Sequence, residues 1–278
     1  MAKFATFGQE LYFDESMRAI ETLCDALESD HLSARVAELL PQPSNATKLR
    51  IASKIVQRLF KPANPKSGVQ TFPRFVKSVR SEASKRDLIY WRTARTDGLI
   101  AALAGEIFYP YFVLNAMPKG YDEASFRMAN TATLFAMDQV ISRDFAIRFA
   151  RETWGFESAR SVTLALRIMK QAGILDAVTM KLMRRHVLGY YPQPHPVSVE
   201  VFAYCFYEEF LDSSPTVAMD RIHNGDCVKV FLLSRLQVDS MLKGMEKMKL
   251  IAFTTQPGAR HIKFSYTSMD ALIENPPG

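Results

Sequence analysis

Apolar residues recur three and four positions apart along most of the chain, which is the helical period. Met17, Ile20, Cys24 and Leu27 mark a first helix, with Asp14 placed to cap its start. A short second helix runs from about Ser33 to Leu40 and stops at Pro41, because a residue before proline is pushed out of helical backbone. A third starts near 44–47 and reaches Lys61, where Pro62 and Pro65 halt it; its apolar face is Ala52, Ile55, Val56, Leu59 and Phe60. The same period predicts helices over about 72–82, 86–96, 98–116, 122–142 and 157–172, with Gly173 closing the last in the C-cap position.

The pattern changes at Gly189–Pro196, whose three prolines and one glycine in eight residues read as a linker. Beyond it, Val197–Leu211 is a helix opened by Pro196, with Phe202, Phe206 and Phe210 as its core face. Val228–Leu233 is a short apolar segment. Arg235–Lys249 is an amphipathic helix with Leu236, Met241, Leu242, Met245 and Met248 inward. Leu250–Thr255 and His261–Thr267 read as strands around a turn containing Pro257 and Gly258. Alternation then turns Ile262, Phe264 and Tyr266 inward, and His261, Lys263 and Ser265 outward. Helices followed by a hairpin is the order of a winged helix. The expected fold is therefore mainly α: a helical domain over 1–188 with a helix-turn-helix-like basic region, and a winged-helix-like domain over 189–278.

Composition adds boundaries. With 278 residues, 48% apolar and 23% charged, the chain has ample material for a core, so general disorder is excluded. Three widely spaced cysteines fit a reducing cytosol better than a disulfide framework. The first residues lack the apolar stretch of a secretory signal. The most apolar run, Leu99–Met117, is broken by Gly105, Glu106 and Pro110, so it reads as a core helix and a cytoplasmic protein without a membrane span is expected.

Charge is the most informative feature. Between Asn45 and Arg95, thirteen basic residues face only Glu82 and Asp87, so this segment carries +11 and the rest of the chain −5 against a total of +6. Arg50, Lys54, Arg58 and Lys61 follow at four, four and three residues, which on an α-helix draws one basic stripe, with Lys48 beside it. Arg74, Lys77 and Arg80 repeat the spacing on the next helix. With no interleaved glutamate, mutual repulsion within the stripe is relieved by an anionic partner, and duplex DNA is the expected one. In the C-terminal part, Arg235 and Lys243 on the polar side of the long helix and Arg260 and Lys263 on the hairpin are candidate phosphate contacts. Asp239 and Glu246 weaken the DNA reading of that helix.

Motifs for chemistry are missing. No GxGxxG, GxxxxGK[ST] or GxSxG occurs, so no nucleotide-fold or hydrolase signature is present. His223 and Cys227 stand four apart without a second pair, which favours a structural role over zinc. Glu208, Glu209 and Asp212 read as a solvated helix face rather than a nuclease cluster. No enzymatic activity, catalytic residue, metal or cofactor is expected.

The basic helix-turn-helix region, the stretch Arg86–Phe112 with Tyr90–Trp91, Asp97 and Glu106, and the segment from Ser234 to Ile251 with its hairpin together resemble the BrxA proteins of BREX phage-defence systems. The resemblance spans about residues 30–275. It implies a non-enzymatic, DNA-binding accessory protein working beside other BREX defence proteins. Some members carry an inner-membrane label, which the interrupted apolar run does not fit. Two alternatives to duplex binding through phosphates stay open: a protein-interaction adaptor, and a transcriptional regulator reading sequence through helix 235–249.

Overall fold

The structure, a computed structural model, describes residues 11–23, 31–60, 71–135, 137, 139–182, 185–211, 215–256 and 259–274. In chain order come α1 (Phe13–Leu23), α2 (Leu32–Glu38), α3 (Asn45–Ile55), which continues as a π-helical turn over Val56–Phe60, α4 (Thr71–Ser78) and α5 (Glu82–Thr96). Then follow α6 (Gly98–Leu103), a π-helical turn over Ala104–Phe108, α7 (Tyr109–Phe112), α8 (Glu123–Ala129), a 3-10 turn over Thr131–Phe135, β1 (Ile141–Ser142), α9 (Arg143–Trp154), α10 (Ala159–Gln171), β2 (Leu175–Leu182) and β3 (Arg185–Pro192). The remainder is α11 (Val199–Phe210), β4 (Thr216–Ala218), α12 (Met219–His223), α13 (Asp226–Val230), α14 (Arg235–Lys247), β5 (Ile251–Gln256), β6 (Ala259–Phe264) and α15 (Met269–Glu274). The protein is thus mainly helical, with two small three-stranded antiparallel sheets among the described residues.

Two compact units interleave along the sequence. One comprises Asp97–Pro196 with Val228–Ser234; the other, discontinuous, comprises Leu11–Thr96, Val197–Cys227 and Arg235 onward. The division does not follow the expected boundary at 188/189, because the expected linker is partly strand. Gly189–Pro192 belongs to β3, which pairs with β2 from Leu175↔Pro192 to Leu182↔Arg185 and with β1 on its other side. Gly189 is required there by close approach rather than by flexibility. A Cβ at that position meets Val140 Cγ1 at 2.3 Å and Met180 Cε at 2.9 Å. Gly189→Ala is expected to cost about 1–3 kcal/mol by overpacking, measured as a lower urea midpoint at unchanged slope; an unchanged midpoint refutes the steric account.

Within the Asp97–Pro196 unit, Asp97 caps α6 by accepting from the Leu99 N–H at 3.2 Å. The apolar run behind it is core: Leu99, Ile100, Leu103, Ala104, Ile107 and Phe108 are all buried. Among the described residues, no helix is long and apolar enough to cross a membrane. Glu106 accepts from Trp154 Nε1 at 3.1 Å. The expected helix 122–142 ends at Ala129, where the buried Asn130 takes over. Its amide donates to the Val140 carbonyl and accepts from the Ser142 N–H, both at 2.8 Å, which ties the following loop to β1. Helix α9, absent from the sequence expectation, follows at once: Ser142 caps it and Gly155, at φ 63°, ends it in left-handed backbone.

In the discontinuous unit, α1 begins at Phe13, so Asp14 sits in its first turn and not at the cap; Tyr12, at φ 52°, breaks the backbone just before. Cys24, Leu27, Lys61, Pro257 and Gly258 lie outside the described residues. Helix α2 packs on α3, and α5 on α11, whose Phe202, Phe206 and Phe210 are buried. Helix α11 also packs on α14. There the inward residues are Val238, Leu242 and Met245, whereas Leu236 is 83% exposed and Met248 is exposed, so the expected apolar face is corrected by rotation toward Val238. The sheet order is β4-β6-β5, so the second hairpin strand is paired on both edges. Ile262 and Phe264 point inward and Lys263 outward, as the alternation requires. Tyr207 fastens this sheet to α11: its hydroxyl donates to the Leu250 carbonyl and accepts from the Ser265 N–H at 3.2 Å.

Candidate nucleic-acid interface

The described ones among the basic residues singled out above all belong to the discontinuous unit. On α3, Arg50 is exposed and Lys48 and Lys54 are half-buried. Arg74 and Lys77 on α4, Arg80 just past it and Arg86 on α5 are exposed. Arg235, Lys243, Arg260 and Lys263 are exposed on α14 and the hairpin. Arg260 lies over the Phe253 ring, 4.0 Å from its centroid, which holds the guanidinium over its own sheet. Lys61 and Lys66 lie outside the described residues.

Arg58 breaks the stripe. It is 1% exposed, and its Nη1 donates to the Leu11 carbonyl at 3.5 Å. It lies on the π-helical turn over Val56–Phe60. Arg58 is therefore withdrawn as a phosphate contact and becomes part of the core beside Leu59 and Phe60.

Arg92 is likewise inside. Its Nη1 lies 2.6 Å from Glu208 Oε1, and Trp91 Nε1 donates to Glu208 Oε2 at 2.5 Å; both ion-pair side chains are nearly inaccessible. Sequence reasoning put Glu208 and Glu209 on a solvated face, and the structure corrects this. Glu209 accepts from the backbone N–H groups of Asp226 at 2.7 Å and Cys227 at 2.8 Å, at the first turn of α13. Burial pushes its carboxyl upward, and those N–H groups oppose the shift. These carboxylates hold the α5–α11 packing and the chain at residues 226–227. Asp212 lies outside the described residues.

Burial pushes the Cys205 and Cys227 thiols well up. His223 Nε2 lies 3.1 Å from Asp239 Oδ1, so a carboxylate counted against DNA contact on α14 is engaged by α12. Burial pushes the Glu200 carboxyl upward, and the charge of Arg80 acts against the shift.

One basic element escaped the sequence reading. Lys181, Arg185 and His186, at the far end of the β2–β3 hairpin, are all exposed. The available signal was the stretch from Ala177 to Val199, which has no Asp or Glu.

The architecture defines a mainly α protein with two three-stranded antiparallel sheets, and that class has solved counterparts. The fold is similar to a structure described as SspB, with a TM-score of 0.51 and 11% identity over 99% of this chain and 87% of that one. A magnesium ion-bound SspB structure gives 0.48 and 10% over 99% and 86%. At this identity the likeness concerns the fold alone. No protein-family model matches the chain, and no curated protein matches it by sequence.

Proposed function

We propose that this protein binds double-stranded DNA, chiefly through phosphates, as a non-enzymatic component of a BREX-type phage-defence system. The observation that carries the reading is the exposure of Arg50, Arg74, Lys77, Arg80 and Arg86 within one unit, where Glu82 is the exposed acid of the same segment. Exposed cations on consecutive helices suit a polyanion, since each phosphate neutralised releases condensed counterions. The order α11, β4, α12, α13, α14, β5, β6 supports a winged-helix reading of the C-terminal part, with Lys263 outward on β6. The short α2 packed on α3 supports a helix-turn-helix reading of the N-terminal part. The resemblance to BrxA proteins supplies the defence context and the other defence proteins as partners.

A second reading has one observation in its favour. Leu236, 83% exposed on α14, is an apolar group on the surface a recognition helix uses for bases, and it suits a protein partner. A salt titration with random-sequence duplex separates the two. About six phosphate contacts give a log–log slope of roughly −5 and about a 10³-fold loss of affinity between 50 and 200 mM salt. A slope near zero refutes the duplex reading and favours an adaptor.

A further inference from the structure

An open cavity of about 830 Å³ lies within the Asp97–Pro196 unit. Its lining includes the rings of Tyr111 and Phe112 from α7 and Tyr191 from β3, the side chain of Val178 from β2, and two primary amides, Asn115 and Gln139. The rings are held in place. Tyr111 packs against Phe126 and Phe112, at 4.7 and 5.0 Å between centroids. The Tyr191 hydroxyl donates to Asp176 at 3.1 Å, and Asp176 in turn accepts from the Ala177 N–H at 2.7 Å. Asn115 and Gln139 are exposed, so their donors and acceptors reach a ligand entering from solvent.

The lining holds no Asp, Glu, Lys, Arg or His. A phosphate or carboxylate entering it loses water without gaining a counter-charge, so a ligand's charge stays outside. What the cavity suits is a planar, neutral ring with edge hydrogen-bonding groups, and its size is that of a small-molecule site. The β2–β3 hairpin that supplies Val178 and Tyr191 also carries the exposed Lys181 and Arg185. Alternation puts Arg185 on the same sheet face as Gly189 and Tyr191, four residues from Gly189 or roughly 13 Å along the strand. Lys181 and His186 pair with each other one register position along, so the same alternation puts both on the opposite sheet face.

We infer that this unit binds an unpaired nucleotide of a nucleic-acid strand: the base occupies the aromatic cavity, and the strand's phosphates lie at Arg185. Base stacking on aromatic side chains and phosphate tracking by cations is the general recipe for single strands. The site uses no residue of the basic face on the other unit, so it stands apart from the duplex reading.

The test compares a fluorescein-labelled twelve-nucleotide single strand with an abasic strand of the same length, by anisotropy on the full chain. The intact strand is expected to bind at least tenfold more tightly than the abasic one. Val178→Trp, which fills the cavity, is expected to remove that preference, and Arg185→Ala to flatten the salt slope for single strands by about 0.7. Because Val178→Trp can disturb the sheet, the exposed Gln139→Ala provides a second variant, expected to reduce the intact-over-abasic ratio at unchanged melting temperature. Equal binding of intact and abasic strands overturns the proposal. So does adenosine that binds as tightly as the strand, indifferent to Arg185→Ala, since the cavity then serves a free nucleoside. Random duplex is titrated in parallel. Loss of duplex binding with the intact-over-abasic ratio retained counts against the duplex reading alone.

Discussion

Changing Arg74, Lys77 and Arg80 together to Glu is expected to lower affinity for random duplex about 10²–10³-fold at 0.1 M salt. Each phosphate contact contributes a slope near −0.9, so losing three flattens the log–log slope by about 2.7 units. The fold should survive, since Phe72, Phe75, Val76 and Val79 hold this segment to the core and the three substituted residues are exposed. Glutamate matches lysine and arginine closely in helix propensity. One local cost is foreseen: Arg80→Glu puts a carboxylate near Glu200, whose own carboxyl burial already raises. The double change Arg74→Glu, Lys77→Glu avoids that contact and is expected to give about two-thirds of the slope change. An unchanged slope with an intact circular dichroism spectrum sinks the assignment of this face. Arg58→Glu is the contrasting case. Its side chain is buried, so its expected effect is lost stability rather than lost affinity at a retained fold.

Glu208→Ala is expected to cost about 3–5 kcal/mol of stability, because it leaves the Arg92 guanidinium buried without its carboxylate. Trp91 Nε1 loses its acceptor in the same step, and Tyr204, whose hydroxyl lies 3.3 Å from Glu208 Oε1, loses a neighbour. Replacing both charges, with Arg92→Met and Glu208→Leu, is expected to restore most of the loss, since a well-packed apolar pair avoids the desolvation of two ions. Urea unfolding of Arg92→Met, of Glu208→Leu and of the double variant closes the cycle. A single-variant loss under about 1 kcal/mol contradicts the buried-pair account. Neither change should alter the salt slope for duplex, as neither group reaches the surface.

How much of this was legible in the sequence depends on where each element's contacts lie. Helices α11 and α14 and the β5–β6 hairpin were readable because their apolar spacing is local and their ends carry Pro196 and the Pro257–Gly258 pair. The β2–β3 hairpin was not. No Gly, Pro or Asn stands between Leu182 and Arg185, and the glycine and proline at 189 and 192 mimic a linker. The need for Gly189 comes from Val140, which is distant in sequence and invisible to any local window. Helix α5 hid its burial by taking polar residues inside: Asp87, Arg92 and Thr93 are all buried, and Arg92 is satisfied by a carboxylate from α11. Of the candidate site, the exposed positions on α4, α14 and the hairpin were correctly placed on the surface. Arg58 was not, because charge spacing alone does not show that a long arginine side chain is taken into the core beside Leu59 and Phe60.

The discontinuous unit also has a timetable. Arg92 leaves the ribosome 116 residues before Glu208, its ion-pair partner. At 5–20 residues per second, that is roughly 6–23 s of synthesis. During this interval Arg92 and Trp91 wait in water, while the contiguous stretch from Asp97 to Pro196 is made between them and the partner they need. The earliest-made basic segment thus reaches the cell before the core that fixes it. Thr71, whose hydroxyl bonds Asp270 at 2.9 Å, closes its contact across 199 residues, so α4 is synthesised long before α15 supplies this partner.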